Sequence, residues 1–156
     1  MGNCVNKYSI QNLDESKFKK FSLNGIKTNC KILSIYDGDS ITIGCKVWGR
    51  YFKLKVRMFG YDSPEMKPLL NKPHREKEIQ KAKEAKLFLQ NQCNNKKLLI
   101  EFLEFDKYGR ALGKLYIVDR RFCQKRLISI NKLMIDNNHG YEYYGGTKKL
   151  TKIINI

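Results

Sequence analysis

Seven residues constrain this chain more than any others. In "FKLKVRM", Phe52, Leu54, Val56 and Met58 alternate with Lys53, Lys55 and Arg57. A strict period of two belongs to a β-strand with one buried face and one wet face. Two more strand-like runs lie just upstream, "TNCKILSIY" and "SITIGCKVW", joined by Asp37-Gly38-Asp39. Asp-Gly between alternating hydrophobics signals a hairpin, because Gly tolerates the positive φ of a tight turn. The same stretch also sets two carboxylates close together, so a metal-binding role for one of them stays open.

Downstream the period changes. Pro73 suits a helix start, and Ile79, Ala82, Ala85, Phe88 and Leu89 recur at helical spacing until Asn94-Asn95. "KLLIEFLEF" and "ALGKLYIVD" read as two further strands around "DKYGR". A second helix is predicted from about Ser129, which would serve as N-cap, with Ile130, Leu133 and Met134 on one face. Five short strands with helices after the third and fifth predict an α+β, mainly β domain. The expected architecture is a five-stranded OB-type barrel with two to three packed helices. Residues 1–26 read as a polar N-terminal tail, 27–150 as the domain and 151–156 as a short C-terminal tail.

Charge narrows the partners. Lys plus Arg number 31 against 15 Asp plus Glu, a formal charge of +16. Such an excess predicts attraction to a polyanion, either nucleic acid or an acidic membrane face. Cys4, Cys30, Cys45, Cys93 and Cys123 are dispersed without a CxxC pair. That suits an intracellular, reducing compartment better than a secreted disulfide framework. His74 and His139 offer no spacing for zinc. No stretch is long and apolar enough to cross a bilayer, and no secretory signal is seen. The opening "MGNCVNKYS" permits myristoylation at Gly2 and palmitoylation at Cys4, although Asn6 replaces the usual Ser or Thr. One myristoyl chain anchors only marginally, so Cys4 or Lys17, Lys19 and Lys20 would have to supply a second signal for membrane association.

Four features fall at element ends, where barrel loops carry function. They are Asp39, Arg57, the segment Asp62 to Glu65, and Arg110 at the end of "DKYGR". Phosphodiester hydrolysis needs oxygen ligands for a hard cation, fixed positive groups for a phosphorane-like transition state, and a carboxylate to activate water. Two Asp, two Arg and one Glu complete that inventory. Singly, each has a plainer explanation in turn chemistry, a solvated strand face or a helix entry.

Taken in order, "IYDGDS", "RMFGYDSPE" and "DKYGR" resemble the staphylococcal (thermonuclease) nuclease family, and the resemblance runs from about Lys27 to Gly146. It implies an OB barrel with three helices, and a monomer is expected. It also implies a Ca²⁺-dependent endonuclease that cleaves DNA and RNA at the 5′ P–O bond and leaves 3′-phosphates. By the same resemblance Asp39, Asp62 and the Ser63 carbonyl would hold Ca²⁺. Arg57 and Arg110 would grip the scissile phosphate, and Glu65 would act on the attacking water. Lys107 and Tyr108 would contact a second phosphate, and one of Tyr141, Tyr143 or Tyr144 would stack on a base. Ser40 and Ser63 stand where the family has threonine. "LTKIINI" stands where the family has a full C-terminal helix, which leaves a third helix open. The alternative is a noncatalytic OB-fold nucleic-acid-binding module, membrane-tethered or not. The intact set of both acids, both arginines and the Glu favours the enzyme.

Overall fold

A computed structural model describes residues 10–119 and 126–146. The strands are β1 (Lys27–Ile35), β2 (Ser40–Val47), β3 (Arg50–Met58), β4 (Gly60–Asp62), β5 (Leu98–Phe105), β6 (Ala111–Asp119), β7 (Arg126–Ser129) and β8 (Tyr141–Tyr143). The helices are α1 (Arg75–Cys93) and α2 (Ile130–Asp136). The strand order β3-β2-β1-β5-β6 closes on itself through a β3–β6 pairing, and β7 extends β6. The closing pair is parallel while its neighbours are antiparallel. The result is the expected five-stranded mixed barrel with two helices, an OB-type α+β fold.

Local chemistry accounts for most of these boundaries. On β2, Ile41, Ile43, Cys45 and Val47 all point into the core. β1 carries one extra residue between Ile32 and Ser34. This bulge resets the alternation, so Ile32 and Ile35 both pack on the core although they stand three apart. Helix α1 starts two residues after Pro73, with His74 in the left-handed region at φ 56. It buries Ala82, Ala85 and Leu89 and ends at Asn94. The Ser129 side chain caps α2 by accepting from the Lys132 N–H at 3.2 Å, as its type and place suggest.

Strand β3 departs from its reading. Val56 and Met58 are buried as expected, but Phe52 is 40 % exposed. The reason is topological: β6 pairs with β3 only over Val56–Met58, so the first half of β3 is an open edge. Arg50, Lys53 and Lys55 on that edge discourage pairing with another chain. The β2–β3 connection is a two-residue turn with positive φ at both Trp48 (47°) and Gly49 (79°). Such turns favour Asn-Gly or Asp-Gly, and a tryptophan held there is strained by ~1–3 kcal/mol.

Three short strands escaped the sequence reading. β4 and β8 pair as a separate two-stranded sheet, and β7 runs along β6. Upstream of β1, Leu23 is buried, and Gly25 and Ile26 exchange backbone hydrogen bonds with Phe102 at 2.9 Å. Gly2, Cys4 and residues 147–156, including the stretch where a third helix was left open, lie outside the described residues.

One side chain fastens α2 to the barrel. Buried Asn131 accepts from the Leu115 N–H at 2.9 Å and donates to the carbonyls of Phe59 at 2.8 Å and Gly113 at 3.4 Å. Those backbone groups belong to β6 and to the step between β3 and β4. Asn131→Ala leaves them unpaired in the interior and should cost about 3 kcal/mol. Urea unfolding checks this: the midpoint is expected to fall by roughly 1–2 M, and an unchanged midpoint would refute the assignment.

Candidate active site

The site is assembled at one rim of the barrel by three connections. Between β1 and β2, Asp37-Gly38-Asp39 is closed by the Tyr36 N–H to the Ser40 carbonyl at 2.9 Å and by the Asp39 N–H to Asp37 Oδ1 at 3.2 Å. The Met58 N–H then reaches the Asp39 carbonyl at 2.7 Å and fixes this turn to the end of β3. Buried Tyr61 donates its hydroxyl to the Gly38 carbonyl at 2.5 Å. Burial, reinforced by Asp39 and Asp37, pushes the Tyr61 hydroxyl well above the ordinary tyrosine range, so it remains a donor.

Gly38 has a function the hairpin signal did not suggest. Among the glycines, those with positive φ include Gly49, Gly60 and Gly109 but not Gly38. A Cβ on Gly38 would lie 2.8 Å from Cβ of Ser63 and 2.9 Å from Cβ of Ala85. Gly stands there so that the acidic turn can press against Ser63 and helix α1.

Three carboxylates, Asp37, Asp39 and Asp62, are buried together. Arg57 lies among them, with Nη2 donating to Asp62 Oδ1 and standing 3.1 Å from Asp39 Oδ2. Despite that proximity, Asp39 Oδ2 accepts no hydrogen bond. Its other oxygen accepts from Ser40 Oγ at 2.9 Å. Burial raises the Asp39 carboxyl well above the usual carboxylate range, Asp37 adds to this, and Arg57 opposes it. For Arg57 burial works against the charge, but Asp39 and Asp62 outweigh it and hold the guanidinium protonated. The result is a knot of acids with more negative charge than one guanidinium offsets.

The β5–β6 connection contributes the second arginine. Asp106 Oδ1 accepts from the N–H groups of Tyr108 and Arg110, both at 2.9 Å, and Oδ2 accepts from Arg110 Nε at 2.7 Å. Although burial pushes the other way, these bonds lower the Asp106 pKa. Arg110 Nη1 also lies 3.5 Å from Ser40 Oγ, linking this turn to the acidic one. The barrel-closing pairs Val56↔Ala111 and Arg57↔Leu112 bring the two arginines to one rim.

A groove of ≈ 1190 Å³ opens here. Its lining includes Asp39, Arg57, Asp62, Ser63, Glu65 and Arg110, and farther out Lys107, Tyr108, Tyr143 and Tyr144. Glu65 is exposed on the wall. Its N–H reaches Oε1 of Glu78 at 3.4 Å, and buried Glu78 in turn pairs with Lys72 Nζ at 2.6 Å. The loop that presents Glu65 is thus tied to α1. Tyr141 takes a different place from its two neighbours. The β4–β8 register sets Asp62 opposite Tyr141, whose buried hydroxyl donates to Asp62 Oδ2 at 2.7 Å. It does not line the groove, whereas Tyr143 and Tyr144 do, and Tyr144 is 70 % exposed.

Among the described residues no group of three or more His, Cys, Asp or Glu is placed to enclose a metal. Two carboxylates at the groove floor, one with a buried oxygen lacking any hydrogen bond, still fit a hard cation that keeps several waters. The described thiols do not line the groove: Cys30, Cys45 and Cys93 are free, and burial pushes Cys30 and Cys93 up to about 12.

The model of the family described as staphylococcal nuclease homologue matches residues 55–148, more than half of the chain. The chain belongs to this family. The matched stretch contains Arg57, Asp62, Ser63, Glu65 and Arg110, whereas Asp39 precedes it and is joined to them by geometry alone. No curated protein matches the sequence. Among solved structures, the chain is similar to a human extended Tudor domain in complex with a symmetrically dimethylated peptide. The TM-score is 0.40 at 11% identity, over 82% of this chain and 69% of that one.

The close approach of Gly38 yields a direct test. Gly38→Ala must displace Ser63 or α1, since two of the three atoms it meets are Cβ atoms with no freedom to swing aside. A cost of about 2 kcal/mol is expected, read as a fall in Tm of roughly 4–8 °C. An unshifted Tm would show that the turn does not press on Ser63.

Proposed function

We propose that the chain is a Ca²⁺-dependent nuclease that hydrolyses the phosphodiester backbone of DNA and RNA at the 5′ P–O bond, leaving 3′-phosphates. The observation that carries this reading is the convergence of Arg57, Arg110, Asp39, Asp62 and Glu65 on one groove. Family membership supports the nuclease class.

In this reading the side chain of Glu65 accepts a proton from a water that attacks phosphorus. The P–O5′ bond breaks, the phosphate stays on the 3′ side, and the departing 5′-oxygen takes up a proton. Negative charge grows on the non-bridging oxygens as the centre becomes pentacoordinate. Arg57 and Arg110 are cations held at the same rim, so they stabilise that charge as it develops, Arg57 by exchanging its buried acids for the phosphate. The Asp106 bonds hold Arg110 in place before substrate arrives. Asp39 and Asp62, with the Ser63 carbonyl, would hold Ca²⁺, which when bound neutralises phosphoryl charge and relieves the crowding of buried acids. The phosphate in turn gives Arg57 an anionic partner. Lys107 and Tyr108 meet the next phosphate, and Tyr143 or Tyr144 stacks on a base at ~1–3 kcal/mol.

The test is digestion of single-stranded DNA and of RNA with millimolar calcium and then with a chelator. Cleavage only with calcium is expected. Glu65→Gln should lower the rate by ~10²–10³ with an unchanged Tm, and Arg110→Ala by a similar factor. Cleavage that survives chelation, or full activity in both variants, would refute the mechanism. Salt-sensitive binding without any cleavage would favour the noncatalytic binding module.

A further inference from the structure

A second feature lies beside the groove and is not part of it. Trp48 is the sole tryptophan, and it stands 62 % exposed at the tip of the β2–β3 hairpin. Its φ of 47° is one that bulky residues seldom adopt. Its ring packs edge-on against Phe21, with centroids 5.5 Å apart at 76°. Phe21 is also 62 % exposed and lies 5.9 Å from Phe105 at 34°. Phe105 is followed by Asp106, whose carboxylate organises the turn carrying Tyr108, which is 72 % exposed. A row of three rings in contact therefore runs from the hairpin tip to the base of the turn that carries Tyr108 on the groove wall.

Exposed cations flank it. Lys19 and Lys20 precede Phe21, and Lys46 and Arg50 bracket the hairpin tip. Two acids stand near the row: Glu104 accepts from Ser22 Oγ at 3.3 Å, and Asp106 is paired with Arg110. Aromatic faces with positive charge alongside are the two ingredients by which proteins hold unpaired nucleic-acid strands irrespective of sequence. We propose that Trp48 and Phe21, backed by Phe105 on the edge of the core, form a stacking platform for unpaired bases, which lengthens the nucleic-acid site beyond the groove. This rests on the reading of the groove as a nucleic-acid site. Continuity with the groove selects a strand over a lipid surface, because a bilayer lying on this row would also cover the Tyr108 side of the groove.

The single tryptophan makes the platform its own reporter. The full chain, kept from cutting by a chelator, is titrated with a thymidine dinucleotide and with a thymidine dodecanucleotide while indole emission is followed. Competition with a labelled oligonucleotide measures binding independently. The dodecanucleotide is expected to quench the emission, whereas the dinucleotide binds without quenching. Phe21→Ala should weaken the longer ligand by roughly tenfold and leave the shorter one unchanged. Binding of the dodecanucleotide with unaltered emission would overturn the platform and leave the groove reading intact. Failure of both ligands to bind, in the chelator and again in millimolar calcium, would overturn both. A blue shift with phosphatidylserine vesicles but not with the dodecanucleotide would assign the row to lipid instead.

Discussion

Arg57 is the counter-ion on which the rim of this barrel depends. Asp37 and Asp39 come from one turn and Asp62 from β4, and all three are buried around a single guanidinium. Removing one partner of a buried ion pair commonly costs ~3–5 kcal/mol, because the other charge is left stranded. Arg57 therefore joins the β1–β2 turn to β4 as firmly as it could later grip a phosphate. In the proposed reaction those duties follow one another. Cation and phosphate arrive as opposite charges, and each takes over one half of an existing pair.

Much of this was legible in the sequence where elements are long enough to show a period. The alternation in β3 and the 79, 82, 85, 89 spacing of α1 fixed both elements, and Ser129 marked the start of α2. β4 and β8 have three residues each, too few to show any period, and their pairing decides where Tyr141 points. Its hydroxyl belongs to Asp62, a role no count of tyrosines could reveal. Phe52 fits the pattern of a buried residue, yet the short β3–β6 pairing leaves it on an edge. That is a property of topology, and the pattern carries no trace of it.

Two residues show how a correct signal can carry an incomplete reason. Gly38 does mark a turn, but the constraint on it comes from Ser63 and Ala85, which are distant in sequence. Glu78 lies four residues before Ala82 and seven before Ala85, on the stripe that α1 buries. An acid on an apolar stripe must find a partner, and Lys72 and the Glu65 N–H are the ones it finds. The spacing was visible in the sequence; the partners were not.

The parallel pairing of β3 with β6 has a consequence for the order of events in folding. Its residues, Val56 to Met58 and Ala111 to Gly113, are remote in the chain, so their contact requires closure of a long loop. Contacts of that kind form late and slow the folding of β-rich domains. Arg57 and Arg110 share a rim only after this closure. A chain still emerging from the ribosome, or one held partly open, has its acids and its arginines but no place where they meet. In the proposed reading, loss of activity should therefore track loss of the closed barrel, however much local helix and hairpin survives.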